Sequence, residues 1–147
     1  MEKASPLVGS HSVSTLLVHL VWATIGRARI LAPDIDDALA GWLCEKARDC
    51  GCAVLGAGNS SDHVHVLVQH PPTMPVAELA RLLKGSSSHR ARVVYGRASP
   101  VRWQAGYWAE SMSPTHLAAL ASYVRDQRKH HVDSIELEPW EAGVPTP

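Results

Sequence analysis

Between the turn-forming pair Ser60–Ser61 and the prolines Pro71–Pro72 runs His63–His70, HVHVLVQH, and no other stretch limits the fold so tightly. It is rich in β-branched residues and is closed by prolines that cannot extend a ladder, so it reads as an interior strand. Successive side chains alternate, placing Val64, Val66 and Val68 on one face and His63 and His65 on the other. The valines fit beneath a layer of helices. The imidazoles are then expected on the opposite, more open face, roughly 7 Å apart by the rise per residue. From that separation two Nε2 atoms can converge on one divalent cation. One strand supplies only two ligands, so an incidental histidine pair and a metal pair both stay open at this point.

The elements around this strand fix its setting. Residues Ser14–Thr24 read as a strand with Leu16, Val18, Leu20 and Trp22 on one face and Leu17, His19 and Val21 on the other. Pro33 and the acids after it open a helix that Gly51 stops. A second strand covers 52–59, and Pro75 opens a second helix with an expected weak point at Lys84–Gly85. Residues 101–111 read as a fourth strand, and Ser113–Pro114 caps a final helix reaching His131. Strand, helix, strand, strand, helix, strand predicts an α+β fold, a ferredoxin-like (RRM-like) four-stranded antiparallel sheet. Its helices lie on one face, and the C-terminal helix is left to pack elsewhere. The expected organisation is a flexible N-terminus over 1–13, one domain over 14–131 and a short acidic tail over 132–147.

At 147 residues and 46% hydrophobic content, one domain with a real core is expected. Fourteen basic residues balance fourteen acidic ones, which advertises no polyanion partner. The distribution is uneven, since Arg81–Lys129 holds nine basic residues against Glu110 and Asp126. Such a segment is a phosphate-binding face or an ordinary solvated surface. Cys44, Cys50 and Cys52 form no C-x-x-C and read as reduced thiols; zinc on Cys50 and Cys52 is poorly spaced. The first residues lack the apolar core of a signal peptide, and LLVHLVWA is too short to span a bilayer. A soluble, cytoplasmic protein with no membrane partner is expected.

The final helix adds chemistry. Tyr123 and Gln127 are four residues apart and share a helix face. A phenol attacks phosphorus when a metal polarises the phosphate, and the Gln127 amide oxygen is a credible third ligand. Leu117, Leu120 and Val124 are helical neighbours, so a core tyrosine is equally open from spacing alone.

DHVHVLV, LARLLKGSSSHRAR, RWQAGYWAES and YVRDQRKHH together resemble, in order and spacing, the single-tyrosine HUH transposases of small insertion sequences and the related REP-associated tyrosine transposases. The resemblance covers about His19 to His131. It implies that His63, His65 and Gln127 hold Mg²⁺ or Mn²⁺, and that Tyr123 cleaves single-stranded DNA through a 5′-phosphotyrosine. It further implies a homodimer, with the tyrosine helix acting in cis or in trans, and DNA hairpins at the ends of a mobile element as partners. One departure is TIGRAR after the first strand, where many relatives carry a lysine-containing KYR-like stretch; Arg27 and Arg29 are possible substitutes there.

Arg81, Lys84, Arg90 and Arg92 on the second helix, with Arg125 and Arg128 on the last, are candidate DNA contacts. Trp103, Tyr107 and Trp108 are candidate base-stacking residues, of which only one of the adjacent pair Tyr107 and Trp108 can face the DNA. Asp62 is placed to orient His63, and His19 to neighbour the pair. A domesticated single-strand binding module without catalysis is the alternative. Histidine-triad hydrolases need a third histidine where Leu67 stands, and two-histidine phosphodiesterases need a second H-x-[ST] that is absent.

Overall fold

The computed structural model describes residues 4–128. A four-stranded antiparallel sheet forms in the order β4-β5-β3-β6, from β3 (Leu16–Ala23), β4 (Ala53–Asn59), β5 (His63–His70) and β6 (Trp108–Ser111). Two short strands, β1 (Leu7–Val8) and β2 (Val13–Ser14), pair with each other ahead of it, where the sequence suggests a loose segment. The central pair β3 and β5 is aligned so that Ala23 faces His63 and Val21 faces His65.

Helices α1 (Asp36–Asp49) and α2 (Val76–Tyr95) cover one face of the sheet. Val18, Leu20 and Trp22 of β3 and Val64, Val66 and Val68 of β5 pack there against Leu39, Leu43, Leu79 and Leu83. Helix α3 (Leu117–Arg125) lies on the other face, where Leu117, Ala121 and Val124 meet Leu17, Leu55 and Leu67. Both faces are therefore dry along β5. That explains a strand apolar in both phases and corrects the expectation of an open histidine face: His63 is 1% exposed and His65 fully buried.

Three other boundaries differ from the sequence reading. Helix α2 runs unbroken through Lys84–Gly85, anchored on either side by Leu79, Leu83, Ser87 and Ala91. The fourth strand is only four residues long, with Trp103 contributing a single bridge to Thr24. Its upstream half is a loop because Lys84 Nζ, rather than a neighbouring strand, satisfies the carbonyls of Gln104 (2.7 Å) and Gly106 (2.9 Å). The last helix begins as a 3₁₀ turn over Pro114–His116, where Ser113 Oγ accepts from Thr115 N. Its backbone loosens at Asp126 (φ −95, ψ 23) and is helical again at Gln127 and Arg128. Lys129–His131 and the acidic 132–147 segment lie outside the described residues. Among the described residues no helix is long and apolar enough to cross a membrane.

Candidate active site

Two glycines set how closely α3 approaches the sheet. Gly56 pairs with Leu67 and Gly58 with His65, on the edge strand β4 and beneath α3. A Cβ on Gly58 would collide with the Val124 carbonyl, and one on Gly56 would lie 3.4 Å from Ala121 Cα. The absence of side chains lets the helix sit on the strand backbone. The register shift between Val54 and Gly56 precedes this seat.

That close approach carries Tyr123 and Gln127 over the histidines. The Tyr123 ring stands edge-on to His65 with centroids 6.1 Å apart. Gln127 is fully buried; its Nε2 donates to the Tyr123 carbonyl (3.2 Å) and its Oε1 lies 3.3 Å from His63 Nε2. The His63 and His65 rings are 5.1 Å apart. The Tyr123 hydroxyl and His65 Nε2 are both shielded from solvent.

Each imidazole is oriented from behind. His63 Nδ1 donates to Asp62 Oδ1 at 2.7 Å, because a carboxylate can only accept. Ser60 Oγ donates to the same oxygen (3.1 Å) and lies 2.8 Å from Nδ1. Burial alone would raise the Asp62 pKa. The hydrogen bond and charge of His63, with Arg27 and Ser60, outweigh it and pull the value down to about 2. With Nδ1 turned to Asp62, His63 Nε2 points at Gln127 Oε1.

His65 Nδ1 meets His19 Nε2 at 2.8 Å. Burial drives the His19 pKa down to about 4, so that ring is neutral at physiological pH and can accept from His65 Nδ1. Of the two site histidines, His63 sets its Nε2 against Gln127, and His65 keeps Nδ1 on His19. His19 also floors a cleft of about 210 Å³ lined by Glu110, Met112, His116 and Leu120, which opens beside α3.

The donor set fits a divalent cation. His63 Nε2 and Gln127 Oε1 lie 3.3 Å apart, a hydrogen bond while Nε2 carries a proton and a pair of lone-pair donors for one cation once it does not. Among the described residues no three His, Cys, Asp or Glu side chains cluster as a metal site, so a cation held here draws on the amide oxygen as well as the two imidazoles.

The model of the family described as Transposase IS200 like matches residues 12–127 of this chain. The chain belongs to that family. IS200-like transposases are metal-dependent enzymes of DNA transposition. The chain is also similar in fold to a candidate transposase from Deinococcus radiodurans R1, at 24% identity and TM-score 0.66, covering 83% of this chain and 98% of that one. A REP-associated tyrosine transposase bound to a REP hairpin gives 14% identity and TM-score 0.57, covering 80% and 68%. The curated proteins hold no match.

The other residues that the sequence of this IS200-like transposase singles out fall in different places. Arg128 binds Asp36 through Nε (2.6 Å) and Nη2 (2.8 Å) and donates to Leu31 O (2.7 Å), tying the end of the tyrosine segment to the start of α1. Arg125 is exposed on a groove shared with Asp36, Asp37 and Asp126. Arg81 pairs with Glu78, Arg90 with Glu45, and Lys84 holds the loop carbonyls; Arg92 is exposed. All four sit on α2, in the layer opposite the histidines.

Trp103 faces that same layer, edge-on to Trp22 and donating Nε1 to Ser87 Oγ (2.9 Å). Tyr107 packs on the same core, whereas Trp108 lies on the histidine face, 5.3 Å edge-on from His19. Sequence reasoning leaves out Ser60, the Gly56–Gly58 seat and the role of Arg27, which pairs with Asp62 at 3.3 Å. A glycine on alternate strand positions is the available signal for the seat. Arg27 sits on left-handed backbone (φ 54) directly after Gly26 (φ 60), a conformation costing a non-glycine residue about 1–2 kcal/mol.

Proposed function

We propose that this transposase cleaves and rejoins single-stranded DNA with Tyr123 as nucleophile and a divalent cation, Mg²⁺ or Mn²⁺, held by His63, His65 and Gln127. The observation that carries this reading is the Tyr123 ring edge-on to His65 together with Gln127 Oε1 lying 3.3 Å from His63 Nε2. A bound cation supplies Lewis acidity, polarising the phosphate and drawing charge from the departing oxygen.

The chain's own residues do the rest. Asp62 and His19 hold the Nδ1 edges of His63 and His65, which leaves the Nε2 atoms for a cation. Gln127 Nε2 is tethered to the Tyr123 carbonyl, which holds ligand and nucleophile together across the loosened backbone at Asp126. In the reaction the Tyr123 oxygen bonds to phosphorus and the bond from phosphorus to the 3′-oxygen breaks. The phenolic proton ends, in the net step, on the 3′-hydroxyl. The 5′-phosphotyrosine retains the phosphodiester bond energy, so attack by a 3′-hydroxyl reverses the step without a nucleotide cofactor.

Trp108, rather than Trp103, is the aromatic available beside the site for an unpaired base. DNA hairpins are the natural substrates to try, since a neighbour in fold was solved bound to a REP hairpin. The homodimer and any trans use of Tyr123 belong to this proposal; within one chain, α3 covers its own histidines. The test is incubation with hairpin-bearing single strands from the DNA flanking the gene, with Mn²⁺ or Mg²⁺. A covalent adduct should form, and should disappear with chelator or in His63→Ala. Tight DNA binding with no adduct on any strand would favour the domesticated binding module.

A further inference from the structure

We infer that Arg29, Arg97 and Arg102 form a seat for the backbone of the single-stranded DNA that flanks the cleaved phosphate. This rests on the DNA-cleaving reading above and says where the strand runs.

The seat is built from two loops that are distant in sequence and adjacent in space. Residues 24–32 follow β3, and residues 96–106 follow α2. Ile25 N donates to Arg102 O (2.8 Å), Thr24 bridges Trp103, and Arg102 Nη2 donates to Arg97 O (3.3 Å). Together the two loops hold four arginines and no aspartate or glutamate.

Their position is at the His63 end of the sheet. Ala23, the last residue of β3, pairs with His63, and Thr24 N donates to Asp62 O at 2.8 Å. Leu31 N donates to Ser61 O, while Leu31 O accepts from Arg128 at the end of the tyrosine segment. One rim thus joins the loops to the histidine strand and to the segment carrying Gln127. Arg27 leans inward to Asp62 from its left-handed backbone. Arg29, Arg97 and Arg102 are exposed, and none meets a carboxylate among the described residues.

Exposed like charges without counter-charges oppose folding through self-repulsion, and the Arg102 Nη2 bond to the Arg97 carbonyl is long and solvent-exposed, so it offsets little of that. It complements a chain carrying one negative charge per nucleotide. The basic residues of α2 make the contrast, since Arg81 and Arg90 are paired with carboxylates and Lys84 is committed to two carbonyls. Trp108 closes the second loop and lies on the histidine face, which suits unpaired bases better than a stacked duplex.

The test measures binding by fluorescence anisotropy, in Tyr123→Phe protein so that no reaction intervenes. The probe is a single strand of about 20 nucleotides, and salt runs from about 50 to about 200 mM. The variant Arg29→Gln/Arg97→Gln/Arg102→Gln should weaken binding at low salt by about tenfold or more. It should also flatten the slope of log affinity against log salt by about 2, at roughly 0.7 per lost single-strand contact. Circular dichroism and an unchanged melting temperature confirm that the variant is folded. The inference is overturned if the triple variant keeps wild-type affinity and slope, or if Arg81→Gln/Arg90→Gln/Arg92→Gln shows the loss instead. It is equally overturned if blunt duplex competes as well as single strand. Adduct formation by the wild type separates the two claims: an adduct with no effect of the triple variant sinks only the seat. A binding loss with no adduct sinks only the nuclease.

Discussion

His63 Nε2 and Gln127 Oε1 face each other at 3.3 Å across the gap between β5 and the end of the tyrosine helix. Asp62 accepts from His63 Nδ1 and the Tyr123 carbonyl accepts from Gln127 Nε2, which leaves Nε2 of the imidazole and Oε1 of the amide turned to each other. This juxtaposition links strand, helix and chemistry, since it forms only when α3 is seated on β4.

Removing the carboxylate behind His63 should weaken the cation site without dismantling it. Asp62→Ala is expected to lower Mn²⁺ affinity about 10–100-fold, as read by isothermal titration calorimetry. An unchanged affinity would mean that Asp62 serves only the turn and the Arg27 pair.

Substitution at the helix seat should uncouple α3 from the sheet. Gly58→Ala drives a methyl into the Val124 carbonyl and is expected to cost about 1–3 kcal/mol in urea denaturation, with loss of adduct formation. Gly56→Ala, whose Cβ would sit at ordinary contact distance from Ala121, should cost less than about 1 kcal/mol. Equal effects of the two changes would contradict the seat.

His19 gives the metal-free protein a pH signature. Its folded pKa of about 4 lies below the ordinary 6.5, so the unfolded chain binds the proton first. Stability is then complete above pH 6.5, falls as pH drops toward 4 and levels off below. The full loss is at most about 3 kcal/mol. Asp62, depressed from 3.8 to about 2, contributes stability that is present above 3.8 and lost in the separate window below it. In His19→Gln, which keeps an acceptor for His65 Nδ1, urea midpoints measured from pH 7 to 4 should lose the first slope. A slope unchanged by the substitution would place the titrating group elsewhere.

The sheet and its histidine pair are legible in the sequence because strand periodicity is local: alternation alone puts Val64, Val66 and Val68 against α1 and α2, with His63 and His65 opposite. The Tyr123–Gln127 spacing is legible for the same reason, one turn of helix. What escapes depends on partners distant in sequence. Gly56 and Gly58 have no visible purpose until α3 is laid across them, and Lys84 reads as a free cation until the 104–106 carbonyls arrive. Trp103 and Trp108 belong to one aromatic run, yet the loop between them turns one into the α2 layer and the other onto the histidine face. Burial of both imidazoles is invisible to the sequence because it does not show which face α3 covers.

The central claim is the bond between Tyr123 and DNA, and peptide mapping tests it most directly. The wild-type protein is incubated with a 3′-labelled hairpin strand and Mn²⁺, digested, and the labelled peptide sequenced by mass spectrometry. The expected result is a 5′-phosphate on Tyr123 and a released fragment ending in a 3′-hydroxyl, with neither product in Tyr123→Phe. An adduct on another residue, or cleavage that persists in Tyr123→Phe, would contradict it.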